Sequence, residues 1–269
     1  MTATFSFPRL LQLIRKQWIE NSRLYLFSTL ALLGILGLVM IFWVLTDGKH
    51  YSEDGLYIIF LFGLFIAGSV FASMSFSMLG NKERGTYWLA FPASHLEKLL
   101  CMIFYNVVVF TLVYCACFFL VKSMAVSYVT SLVADDPEVY TFRRSIWGSD
   151  RSFLAIVPYF IYGFFAVQAF YLLGSAYFPR YSFVITTIVG SALIFVFVYY
   201  TMEILEGSFH DGYSWNGDHL RKYDGGFNTP YQRYELSPVF TNLVIFGVKY
   251  IWAPVFWVVA WFRLKEKQI

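Results

Sequence analysis

The side chains best placed to do chemistry in this chain are ionisable groups set among apolar residues, because a charge in hydrocarbon is costly and marks function by default. Lys249 stands inside the apolar run 240–262, and Glu203 and Glu206 close the run before it on the same side. Counted from Phe240, Lys249 lies roughly 13 Å below the outer end of its helix, where a carboxylate partner or a wet cavity would keep it charged. Its stem can equally snorkel to the interface as an anchor. Asn106 and Gln168, uncharged and also in apolar runs, are expected to bond between helices. No catalytic residue is expected: the chain has no Gly-x-x-x-x-Gly-Lys-Ser/Thr loop, no His-Glu-x-x-His pair and no Gly-x-Ser-x-Gly elbow. His210, Asp211, Asp218 and His219 are metal-ligand types. The intervening Gly212, Asn216 and Gly217 give that stretch the composition of solvated turns, so no metal is expected there. Cys101, Cys115 and Cys117 share one apolar run and read as small buried hydrophobes.

The segment from Gly80 to Lys98 carries a second kind of signal. Ser94-His95-Leu96-Glu97 has the spacing of a capping box, with Ser94 accepting from the third helical amide and Glu97 reaching back to the Ser94 amide. Pro92 biases Phe91 toward an extended approach. The cap accounts for Ser94 and Glu97, but not for Tyr87, Trp88, Leu89 and Phe91 in a segment that Lys82, Glu83, Arg84 and Lys98 make polar. Aromatics rimmed by charge are expected to dock on a partner protein or on the bilayer surface.

Composition identifies the elements that must hold these residues. Of 269 residues, 58% are hydrophobic, 22% aromatic and only 14% charged, too little charge for a soluble domain. A disordered, collagenous or disulfide-scaffold chain is excluded, and scattered basic residues with a net charge of +3 give no nucleic-acid footprint. Six continuous apolar runs, 24–46, 55–79, 99–121, 153–178, 181–202 and 240–262, each match a membrane-spanning helix. Barrel strands would alternate with period two instead. The expected fold is all-α and polytopic, a single domain over 1–269 with outer loops at 122–152 and 203–239. Phe178-Pro179-Arg180-Tyr181 predicts a tight hairpin.

Before the first run, Phe7, Leu10, Leu11, Ile14 and Trp18 share one helical face, opposite Arg9, Gln12, Lys16 and Glu20. That pattern predicts an amphipathic surface helix over 1–23, or a basic tail that stops the first span from slipping. No cleavable leader is expected, because Arg15, Lys16 and Glu20 interrupt the apolar residues. The segments 1–23, 80–98, 179–180 and 263–269 hold 11 basic and 4 acidic residues, whereas 47–54, 122–152 and 203–239 hold 8 basic and 13 acidic. The positive-inside rule then places both termini in the cytoplasm.

Leu89-Ala-Phe-Pro-Ala-Ser-His-Leu-Glu-Lys98, following two spans, resembles the "LPxSxxEK" segment in permease subunits of type-2 ATP-binding-cassette exporters. Leu172-Leu-Gly-Ser-Ala-Tyr-Phe178 and Phe262-Arg-Leu-Lys-Glu-Lys-Gln268 are similar to versions in Bacteroidetes-type members. The resemblance implies an inner-membrane exporter without catalysis of its own, working by alternating access on a lipid-like or amphipathic substrate. It implies a separate ATPase holding ATP and Mg, and a second permease, identical or not. Coupling to the ATPase would run through Arg15, Lys16, Trp88, Pro92, Ser94, Glu97 and Lys98. Asn106, Gln168, Glu203, Glu206 and Lys249 would face the translocation path or outer gate. The alternative is a polytopic sensor or assembly scaffold that transports nothing.

Overall fold

Backbone groups in hydrocarbon must satisfy one another, and the apolar runs do so as helices. The computed structural model describes residues 5–46, 48–143, 151–208, 213–215, 219–222, 232–235, 239, 242–243 and 246–267. Helices dominate: α1 (Phe7–Thr46), α2 (Glu53–Met74), α3 (Lys82–Ala90), α4 (His95–Ile103), α5 (Phe110–Asp135), α6 (Arg151–Tyr177), α7 (Ser182–Ser208) and α8 (Trp252–Glu266). Five helical stretches are long and apolar enough to cross a membrane: Phe7–Thr46, Glu53–Met74, His95–Asp135, Val157–Tyr177 and Ser182–Tyr200. The chain is a polytopic helical membrane protein. Of the sixth expected span, 240–262, the part from 246 onward is described and is helical, while most of 240–245 lies outside the described residues.

Three sequence expectations change. The break between a surface helix and the first span is absent, since α1 runs unbroken for 40 residues, about 60 Å and twice the hydrocarbon thickness. Glu20-Asn21-Ser22-Arg23 contains no glycine or proline, and its short polar side chains bond back onto the helix. Asn21 donates to the Gln17 carbonyl (3.1 Å) and Ser22 to that of Ile19 (3.3 Å). The 122–152 outer loop begins as helix, because α5 continues to Asp135 and the first proline after Lys122 is Pro137. The 203–239 loop contains a three-stranded antiparallel sheet in the order β3 (Tyr213–Trp215), β4 (His219–Lys222), β5 (Gln232–Glu235). Two shorter strands, His50–Ser52 and Thr141–Arg143, pair in parallel beyond the C-terminal ends of α1 and α5. The hairpin at Phe178–Tyr181 forms, with Tyr181 left-handed at φ 53°.

Helix α6 lies at the centre, packed on α2, α7 and α8, while α1 packs along α5. One core joins α1, α2 and α5 through Leu36, Met40, Leu56, Tyr114 and Phe118. A second gathers Phe76, Trp88, Leu99, Leu172 and Leu264. A third seats Leu13 of α1 on Cys101 and Tyr105. Two π-helical turns interrupt the α geometry, at Phe104–Val109 and Gly247–Ile251. They contain Asn106 and Lys249, the polar residues singled out in those two runs.

Candidate functional site

The segment between the second and third spans is built by two caps. Asn81 accepts from the Glu83 amide (3.1 Å) and starts α3, so 82–90 is a helix and not a loop. Pro92 ends that helix by holding Phe91 extended, at ψ 133°. Ser94 then opens α4 with the predicted capping box: its hydroxyl accepts from the Glu97 amide (3.2 Å), and its own amide donates to Glu97 Oε2 (2.8 Å).

The other oxygen of Glu97 does what the cap did not foretell. Oε1 accepts from the Ser6 amide (2.7 Å) and pairs with Arg9 Nη2 (3.2 Å), and the carboxylate is fully buried. One side chain thus ties the first turn of α1 to the first turn of α4, with the positive ends of both helix dipoles favouring its charge. Neighbouring Lys98 is also buried, its ammonium 5.2 Å from the Trp88 ring.

Around this joint the expected coupling residues divide. Trp88 is in the inner core, edge-on to Phe76 at 5.7 Å, so it is not an exposed docking aromatic. Helix α3 turns it inward, which an extended-loop reading could not show. Glu97 and Lys98 are likewise buried. Lys16 lies on the Phe91 ring (3.8 Å) and the Tyr87 ring (4.7 Å) and pairs with Glu20 at 3.6 Å. Arg15, Tyr87 and Pro92 are exposed, and Ser94 is half-buried as a cap.

The residues expected on a path or gate are not brought together. Asn106 is buried and bonded to Ser75 at the end of α2, its amide nitrogen at 2.7 Å and its oxygen at 3.1 Å, as an interhelical link. Gln168 is buried against Gly68, and neither amide atom has a hydrogen-bond partner among the described residues. The Lys249 ammonium lies 4.3 Å from the Tyr159 ring, beside a Tyr162 to Tyr250 hydroxyl bond of 3.1 Å. Arg263 of α8 likewise sits 4.7 Å from the Tyr177 ring of α6. The side chains of Glu203, Glu206 and His219, and all of His210, Asp211 and Asp218, lie outside the described residues.

The sequence did not single out a groove of about 970 Å³ between α1, α2 and α5, walled by residues such as Trp18, Arg23, Ile35, Ile66, Val70 and Val113. Nor did it single out Ser6 or pair Arg9 with Glu97. Arg9 was visible as a basic residue, but only packing joins positions 91 and 88 apart.

No family model, curated protein or solved structure matches this chain. What the site can do follows from its own geometry. A charged, fully bonded carboxylate between two helix starts is a mechanical joint, able to pass a displacement of α3 and α4 to the start of α1. Among the described residues, no three of His, Cys, Asp and Glu gather as metal ligands.

Proposed function

We propose that this chain is the membrane-spanning subunit of an ATP-binding-cassette exporter, moving a lipid-like or amphipathic substrate when a separate ATPase closes beneath it. It crosses the bacterial inner membrane six times, with both termini in the cytoplasm, and works as a dimer with a second permease. The observation that carries this reading is the Glu97 joint, which fastens the inner segment to α1. A partner pressing on Arg15, Tyr87 and Pro92 would move α1, α3 and α4 as one piece. The helices beyond that piece carry the path, and Lys249 with Tyr159 stands at its outer rim. The nucleotide chemistry belongs to the partner, and this chain supplies the lever.

Purification from its host in mild detergent tests the reading. A nucleotide-hydrolysing chain should copurify with a vanadate-sensitive ATPase activity. Arg15→Glu with Tyr87→Ala should cut both more than tenfold without loss of folded protein. A chain that purifies alone, with no associated hydrolysis, is a sensor or scaffold instead. Labelling of Pro92→Cys from outside intact cells would reverse the orientation.

A further inference from the structure

The groove between α1, α2 and α5 is graded from a charged end to an apolar one. Trp18, Ser22 and Arg23 stand at the end nearest the N-terminus, and Arg23 is the one charged residue in its lining. Arg23 is exposed and forms no ion pair with any described residue. Further along, the walls are aliphatic and aromatic. Hydroxyls there are turned away: Tyr105 donates to the Ile14 carbonyl (2.8 Å), Tyr114 to that of Phe60 (2.9 Å) and Thr29 to that of Tyr25 (2.9 Å). Tyr25, stacked on Tyr105 at 5.5 Å and 5.8 Å from Trp18, continues the aromatic lining from the charged end.

Residues 18–39 of α1 span about 32 Å, and the groove along them holds about 970 Å³, room for an acyl chain. The charged end selects the occupant. An unpaired guanidinium beside an indole, at the depth where an amphipathic segment meets a span, complements a phosphate at the headgroup level. We infer that this groove binds an anionic phospholipid of the leaflet on the N-terminal side, its acyl chain along α1 and α2 and its phosphate on Arg23. The site holds whether that lipid is cargo or a fixed component, so it stands apart from the proposed ATPase partnership.

Native mass spectrometry of the full chain in mild detergent, titrated with phosphatidylglycerol or with phosphatidylcholine of identical chains, tests it. The chain should retain the anionic lipid at least fivefold over the zwitterionic one, and Arg23→Gln should bring the two within twofold. Ala31 lines the groove and is exposed, so Ala31→Trp fills the groove without disturbing the core and should lower phosphatidylglycerol retention severalfold. Ile66→Trp should do the same from the α2 wall. Circular dichroism and elution volume monitor folding, and the lipid preference of the unaltered chain decides the matter without any variant. Equal retention of the two lipids overturns the site. So does undiminished retention by both tryptophan variants, which would mean annular lipid only, or an Ala31→Cys cross-link between copies in vesicles, which would put a second chain in the groove.

Discussion

Glu97 and Gln168 are both buried, and the helices around them handle polarity in opposite ways. At the inner end, two backbone amides and a guanidinium converge on the Glu97 carboxylate, so its burial is compensated contact by contact. In the seam between α2 and α6, Gln168 lies over Gly68 with both amide atoms unbonded among the described residues. The first arrangement fixes two helix starts in one geometry. The second lets two helices approach closely, as small residues do in membranes, and leaves its polar group uncompensated.

The largest effect should come from breaking the joint. Glu97→Ala leaves the Ser94 and Ser6 amides without an acceptor and Arg9 without its anion. The full cost of breaking a buried ion pair is reduced here because Arg9 is partly exposed, so a loss of about 2–3 kcal/mol is expected. Ser94→Ala, which removes one capping bond, should cost about 1 kcal/mol. Thermal unfolding in detergent, followed by a thiol-reactive dye on the shielded Cys101, Cys115 and Cys117, measures both. Equal losses for the two variants would reduce Glu97 to an ordinary cap.

The seam should respond in the opposite sense to polarity and strongly to volume. A Cβ at Gly68 would overlap the Gln168 amide and lie 2.9 Å from the Phe164 ring, so Gly68→Ala should destabilise by about 1–3 kcal/mol. Gln168→Leu removes an unbonded amide and should be neutral or stabilising in the same unfolding assay. A loss above about 2 kcal/mol for the leucine variant would mean that the amide is bonded after all, and the contrast with Glu97 would fall.

What was legible follows the same division between local and distant interactions. Five spans and the capping box could be read because an apolar run and Ser-x-x-Glu are local patterns whose physics acts within one helix. The Ser6 and Arg9 contacts of Glu97 could not, because tertiary packing alone brings them 91 and 88 positions across the chain. Trp88 was misplaced for a related reason: Asn81, read as part of a loop, caps a helix that turns the indole inward. The continuation of α1 through Glu20–Arg23 escaped because polar residues looked like a boundary, whereas Asn21 and Ser22 bond to the helix they occupy. The two π turns have no sequence signature, since a widened turn is set by what packs against it.

The smallest change is expected at Lys249, where the outer rim can be compared with the inner joint. Its ammonium rests on the Tyr159 ring, an interaction of about 0.5–1 kcal/mol at an accessible site. The residue is half-buried, so methionine can occupy the same path without leaving a buried anion or cation unpaired. Lys249→Met should therefore shift unfolding by less than about 1 kcal/mol, against the larger loss at Glu97. Its consequence lies in function. If the ammonium meets an anionic head group at the rim of an export path, Lys249→Met should slow substrate export from reconstituted vesicles while leaving ATPase copurification intact, and Lys249→Arg should restore it. Normal export by the methionine variant makes Lys249 a membrane anchor, and confines the chain's functional polarity to its inner end.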